Sequence, residues 1–247
     1  MAIRDLARLN RVASAVARHG FGELLARSPL SRLVGALPAQ DEELSGTPAA
    51  HRFRRLLETL GPTYIKLGQI LSMRSDMLPL EYCQALAGLQ DGTPQIGFDL
   101  IRTAVETGLG GTLSELYESF DEAPLATASI AQTHLAITHG GDRVVVKVQR
   151  PGIEAVMRSD LDLLYLGARI LEATIEEMEI YSPSDVVAEF EKALVRELDF
   201  RIELGNLETM SEQLDSSHRV VVPEPYSDLS GRTVLTMEYF AGVPLRK

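Results

Sequence analysis

The sequence holds a single cysteine, Cys83, among 247 residues. That excludes an internal disulfide and a cysteine-based metal cluster, and it is compatible with a reducing compartment. Positive charge is also scarce: 24 Lys and Arg stand against 35 Asp and Glu, a net charge of −11. A phosphodiester backbone needs clustered cations, so nucleic acid is excluded as a partner. No apolar run reaches the length needed to cross a bilayer as a helix. Membrane contact is therefore expected to be peripheral or to lie outside this chain. What is present is an ordinary globular composition, 45% apolar and 24% charged, long enough to bury a sizeable core as one large domain or a domain with an extension.

Four segments follow from texture. Residues 1–37 open with MAIRDLARLNRVASAVARHG, which sets Arg4, Arg8, Arg11 and Arg18 among Ile3, Leu6, Val12 and Val16. This is a basic amphipathic helix with two readings: an interfacial membrane helix (or a eukaryotic transit peptide), and a solvated helix packing one face on the body. Residues 38–50, PAQDEELSGTPAA, read as a linker. Residues 51–118 read as helical. Leu56, Leu60, Tyr64, Leu67 and Leu71 recur at helical spacing, Gly61-Pro62 is expected to end one helix and start the next, and Pro79 to open another. Inside that stripe, Lys66 and Gln69 are polar and share one face.

From 119 to 247 the pattern is strands, helices, strands: α+β rather than a doubly wound sheet. ESFDEAPLATASIAQTHLAI and GDRVVVKVQ read as strands joined at THGGDR. Residues 153–180 are expected to be helical, and so is the long segment 182–214. In the latter, Ser182, Pro183 and Asp185 form an N-cap, first-turn and third-position set, and Val187, Phe190, Leu194, Leu198 and Ile202 form its buried stripe. RVVVP and RTVLTMEYF return to strands.

Lys147, in RVVVKVQRPG, faces either solvent, by alternation, or a cleft in which an anion compensates it. Its neighbours point to the cleft. Upstream lies a small-residue loop, Ala126, Thr127, Ala128 and Ser129; downstream, Glu203 can pair with the lysine or with nearby Arg196 or Arg201. Loop, strand lysine and helix glutamate, in that order, are the nucleotide-binding half of a protein kinase. The lysine then contacts phosphates, the glutamate holds it, and the backbone of Glu238, Tyr239 and Phe240 forms the hinge that bonds adenine. Two features depart from an ordinary kinase. Alanine stands where glycine is expected, which hinders φ > 0 and changes how phosphates approach. The helix also carries Glu197 and Asp199, about 200° apart if the helix is continuous. Asp199 and Glu203, four apart, repel unless a cation lies between them.

These departures resemble the UbiB family of atypical kinase-like proteins. KLGQILSMRSDMLP resembles its Lys-x-Gly-Gln motif, LAGLQD the segment that follows, PLATASIAQ its alanine-rich loop, VVVKVQRPGI its lysine strand and ELDF its Glu-x-Asp motif. The resemblance implies a kinase-like small lobe with an N-terminal helical extension over the substrate cleft. It further implies ATP and Mg²⁺ as cofactors and ATPase or atypical kinase activity in ubiquinone biosynthesis. The expected partners are a nucleotide, a membrane or isoprenoid-quinone lipid, and quinone-biosynthesis proteins. The location is cytoplasmic and peripherally membrane-associated in a bacterium, mitochondrial or plastid in a eukaryote. Lys66, Gln69, Glu197 and Asp199 are the regulatory motif residues, with Lys66 expected to latch onto Glu197 or Asp199. A metal-binding aspartate and a catalytic-loop asparagine do not occur after the hinge, and Asp-Phe-Arg at 199–201 lacks the glycine. No metal ligand is therefore assigned in this chain; the large lobe is read as missing and the chain alone as inactive. The alternative is a noncatalytic lipid-, membrane- or partner-binding module.

Overall fold

Gly61 sits at φ 102 between α3 (Ala49–Leu60) and α4 (Pro62–Ser72), with Pro62 at the first position of the second helix. The left-handed glycine and the proline together make the turn the sequence calls for. The computed structural model describes residues 3–26, 36–89, 94–174, 182–214 and 221–242. Of these, residues within Met1–Asp91 and Glu154–Lys192 form one compact unit, and those within Gly92–Ile153 and Ala193–Lys247 a second.

In the first unit, α1 (Ile3–Val16), α2 (Gly22–Ala26), α3, α4, α5 (Leu80–Leu86) and α8 (Ile153–Thr174) are helical. Leu56, Leu57, Leu60, Tyr64, Ile65, Leu86 and Leu89 form a core, against which Val12 and Val16 of α1 pack. That part of the amphipathic N-terminal helix packs on the body, while Leu6 of the same helix stays 43% exposed. Among the described residues, no helix is long and apolar enough to cross a membrane. Gly68, the glycine of the Lys-x-Gly-Gln motif, faces the same core: a Cβ there would meet Leu89 Cδ1 at 2.4 Å and Leu57 Cδ1 at 2.7 Å. The helix can approach its neighbours only because that side chain is absent. The 38–50 stretch is less open than a linker, since Glu42–Leu44 form a 3₁₀ turn and Leu44 is buried.

The first unit also holds an ion pair with one fully buried partner. Arg8 Nε lies 2.6 Å from Asp160 Oδ1, Arg8 Nη2 2.9 Å from Oδ2, and Thr63 donates to Oδ2 at 2.7 Å. Arg8 also donates to the Leu60 carbonyl at 2.9 Å. Asp160 is fully buried, and one carboxylate thus joins α1, α8 and the start of α4. Burial, reinforced by the nearby Asp160 charge, raises the Tyr64 phenol well above its ordinary value.

The second unit is a four-stranded antiparallel sheet in the order β1-β2-β3-β4, with β1 Ser119–Thr127, β2 Ala131–Ile137, β3 Arg143–Gln149 and β4 Val234–Glu238. The segment 118–137 is thus two strands turning at 128–130, where the small-residue loop is expected. β1 shifts register on either side of Pro124, which cannot donate to the ladder. The β2–β3 hairpin closes through Gly141 N–H to Thr138 O at 2.9 Å, with Gly141 at φ 89. Val144, Val146 and Val148 of β3 pack with Ile101 and Val105 of α6 (Phe98–Leu109) and with Tyr117, just beyond α7 (Leu113–Leu116). Of RVVVP, the described residues 221–223 are not strand; Pro225 makes an isolated bridge to Met237.

The predicted long helix is two, α9 (Pro183–Glu197) and α10 (Phe200–Gln213). Val187, Phe190, Leu194 and Leu198 are buried as expected, but Ile202 lies past the break and is exposed. Ser182 is not a side-chain cap: it sits at φ 39. Glu172 of α8 fills that role, accepting from Ser184 N at 2.7 Å and Ser184 Oγ at 2.9 Å. Of the predicted helix 153–180, residues 175–180 lie outside the described residues.

Gln132 accepts from Ile96 N–H at 2.8 Å and donates to Ile96 O at 3.2 Å, which fixes its amide. Its Nε2 therefore donates to His134 Nε2 (3.0 Å), and His134 Nδ1–H donates to Asp121 O (2.8 Å). Burial holds this imidazole below the ordinary histidine value.

Two outcomes are expected. Asp160→Ala, which strands Arg8, should cost about 3–5 kcal/mol in urea denaturation. For His134, the unfolded chain takes up a proton near pH 6.5 that the folded chain takes up only at lower pH. Its stabilising contribution is complete above that pH and declines as pH falls towards the folded pKa. Urea midpoints measured from about pH 7.5 to 5.5 should fall in the parent chain and respond less in His134→Gln; parallel profiles would refute the assignment.

Candidate functional site

Alternation along β3 decides where Lys147 points. Val144, Val146 and Val148 take the core face, so Val145, Lys147 and Gln149 take the other. There Lys147 Nζ lies 2.6 Å from Glu203 Oε2 and 4.8 Å from the centroid of the Phe200 ring. The two charged side chains keep 24% and 43% of their accessible surface, so the pair is held yet reachable. A half-exposed pair of this kind contributes little to stability, about 0–1 kcal/mol. What it does is fix the ammonium in place.

Glu203 reaches the lysine because the helix breaks ahead of it. Asp199 is extended (φ −114, ψ 97), caps α10 by accepting from Arg201 N, and pairs with the Arg201 guanidinium at 2.9 and 2.6 Å. That hydrogen bonding holds its carboxyl below the usual aspartate value. Two expectations change here. Glu197 ends α9 and Asp199 caps α10, so they do not lie on one continuous helix, and Asp199 and Glu203 are not two helical positions four apart. Phe200 N–H donates to Arg232 O at 3.0 Å, and the Leu198 carbonyl accepts from Gln149 Nε2 at 2.8 Å.

The alanine-rich turn is closed on itself. Ala128 N–H donates to Ala131 O at 2.8 Å, and Arg150 N–H to Ile130 O at 2.9 Å; Arg150 Nε donates to Ala128 O at 2.9 Å. No residue from Ala126 to Ile130 has positive φ, the one non-glycine case among the described residues being Ser182. Alanine therefore imposes no strain here. Ala126, Thr127 and Ala128 retain surface, whereas Ser129 is buried and belongs to the inside of the turn. At the hinge, Glu238 N–H is taken by Glu224 O (2.8 Å) and Tyr239 N–H by Arg143 O (3.1 Å), so those two donors are not open to a base. Phe240 follows, exposed.

Lys66 and Gln69 of α4 are partly buried, as is Glu197; Lys66 and Gln69 belong to the first unit and Glu197 and Asp199 to the second. Among the described residues, no three His, Cys, Asp or Glu converge as metal ligands. Gln149, Arg150 and Asp160 were not singled out from the sequence. The first two follow Lys147 by two and three residues, the only hint available.

Comparison with known proteins gives consistent matches. The ABC1 atypical kinase-like domain matches residues 88–247. A "Probable protein kinase UbiB" of Pseudomonas aeruginosa is 37% identical over 255 aligned positions, and one of Azotobacter vinelandii 39% over 252. Each alignment covers 99% of this chain and 47% of the relative, so the chain spans about half the length of the curated relatives it matches. A solved structure of a Mycobacterium tuberculosis protein in complex with erythromycin is 30% identical with a TM-score of 0.56, covering 82% of this chain and 50% of that one.

The cap at the helix break generates a test. Asp199→Ala should cost about 1 kcal/mol in urea denaturation, and Asp199→Asn, which can still cap, much less. Equal losses would show that the cap is not what Asp199 supplies.

Proposed function

Because the chain belongs to the ABC1 atypical kinase-like family, and within it to the UbiB type, we propose that it binds ATP at Lys147 and serves ubiquinone biosynthesis. The observation that carries this reading is the 2.6 Å pair between Lys147 and Glu203. A strand lysine held by a helix carboxylate, with surface to spare, suits an ammonium that binds phosphates.

In this reading Lys147 contacts the phosphates, and Glu203 and the Phe200 ring hold it in position. The exposed side of Ala126, Thr127 and Ala128 lies over the phosphates, while Ser129 supports the turn from within. Adenine bonds to the Phe240 N–H and to hinge carbonyls from Glu238 to Phe240. Mg²⁺ supplies neutralising charge on the phosphates when bound, and in the kinase pattern its ligands come from the large lobe. Lys66, Gln69, Glu197 and Asp199 carry the regulatory motifs. Functionally the chain divides into basic helices (1–37), a connector (38–50), the motif-bearing extension (51–118) and the kinase-like lobe (119–247).

ATPase or atypical kinase activity, and partnership with a membrane, an isoprenoid quinone or quinone-biosynthesis proteins, are proposed for the whole protein. A peripheral position on the cytoplasmic side of a bacterial membrane fits the bacterial relatives. Met73 and Leu80, 77% and 65% exposed beside the Lys-x-Gly-Gln helix, are apolar groups suited to a lipid.

The reading is tested by stability. ATP at ten times its Kd should stabilise the chain by about 1.4 kcal/mol, with the gain lost in Lys147→Ala and reduced in Glu203→Gln, and without Mg²⁺-dependent phosphate release. The same gain in Lys147→Ala would sink the assignment. No response to ATP, together with sedimentation on liposomes, would favour a noncatalytic lipid-binding module.

A further inference from the structure

Two adjacent residues at the end of β3 reach in different directions to parts of the same site. Gln149 pairs with Ala131 in the β2–β3 register, and its backbone N–H donates to Thr233 O at 2.8 Å. Its side chain is buried and donates to the Leu198 carbonyl, at the break between α9 and α10. A carbonyl at a helix end has no partner within its helix, and here a side-chain amide supplies one. Arg150 acts on the other side, with its backbone N–H on Ile130 O and its Nε on Ala128 O. One dipeptide therefore ties the elbow that aims Glu203 and the turn that carries Ala126, Thr127 and Ala128.

We infer that Gln149 and Arg150 are positioning residues, coupling the alanine-rich turn and the Glu203 helix to the strand that carries Lys147. The inference rests on the nucleotide reading above and extends it. Neither residue needs to touch the ligand. Gln149 fixes the direction in which α10 leaves the elbow, hence the Lys147–Glu203 distance; Arg150 fixes the height of the turn above the strand. For Arg150 the requirement is directional. A guanidinium Nε can meet the Ala128 carbonyl while the backbone N–H holds Ile130, whereas an ammonium carries the same charge without that planar N–H. For Gln149 the requirement is a donor at a given reach. Asn is one methylene short, and the carboxylate of Glu has no proton to give.

The test uses the 247-residue chain and the variants Gln149→Asn, Gln149→Glu, Arg150→Lys and Arg150→Gln, with two readouts. Hydrogen exchange without nucleotide reports the clamps. Arg150 variants should speed exchange of the Ala128 amide, and Gln149 variants that of the Phe200–Glu203 amides, each roughly tenfold, while Val144, Val146 and Val148 keep their protection. ATP titration followed by thermal shift reports the site, with affinity expected to fall roughly five- to tenfold in each variant, Arg150→Lys included. Wild-type exchange at both segments in all four variants would overturn the inference. So would faster exchange with unchanged ATP affinity, which would make the clamps structural only. Full rescue by Arg150→Lys would overturn the directional role of Arg150 in favour of charge alone. An absence of ATP response in the unmodified chain would instead remove the nucleotide reading, and this inference with it; that outcome is recognised before any variant is compared.

Discussion

The kinase-like unit depends on a helix that does not continue. Had α9 run on through Phe200, that residue's N–H would have bonded the Arg196 carbonyl four residues back. It bonds Arg232 instead, Asp199 turns extended, and a new helix begins with its own cap. The break reorients α10 and places Glu203 beside Lys147. A continuous helix through this region would carry Glu203 along the axis of α9, with no reason to arrive at the strand. The elbow leaves the Leu198 carbonyl without a helical partner, and the fold answers with Gln149. The geometry of the site and the satisfaction of the backbone are thus one problem with one solution.

The strand that bears the lysine works on two faces. One is a row of buried valines whose apolar area holds α6 against the sheet, and at about 25 cal/mol per Å² such burial dominates the unit's stability. The other carries Lys147 and Gln149, whose interactions add little net free energy but select geometry. Stability and placement are thereby divided between alternate residues of a single strand. The first unit mixes them differently: in its Arg8–Asp160 pair the carboxylate is fully buried and the guanidinium mostly so. The cost of withdrawing two charges from water is met there by bidentate geometry, the Thr63 hydroxyl and the Leu60 carbonyl.

Much of this is legible in the sequence, because it rests on local rules. Helical spacing in 51–71, Gly61-Pro62, Pro79 and the Gly-Gly hairpin are read from propensities that tertiary contacts did not override, and alternation put Lys147 opposite the core valines. What escaped depends on distant partners. Nothing in VRELDFRIE marks a break, since Leu198 and Ile202, four apart, keep helical spacing through it; the signal is the Arg232 carbonyl, some thirty residues on in the chain. Asp160 carries no mark in the sequence and Arg8 is one of four arginines in a basic helix, yet each is the other's partner. Ser182 looked like a cap by type, yet the oxygen that caps is that of Glu172. Side-chain bonds to backbone carbonyls leave no periodic trace.

The alanine-rich turn shows why a departure from the glycine-loop pattern need not be a defect. Glycine is required where φ is positive or where a Cβ would collide; neither holds between Ala126 and Ile130, whose backbone stays in ordinary regions. The turn instead spends its polar groups internally: the Ala128 N–H on Ala131, and the carbonyls of Ala128 and Ile130 on Arg150. A glycine loop offers a concavity of free amides to phosphate. A turn whose Ala128 amide is already bonded cannot offer that group, so in the proposed nucleotide reading the Lys147 ammonium carries more of the phosphate contact. The contour of this turn is set by its own hydrogen bonds and by the two that Arg150 makes to its carbonyls.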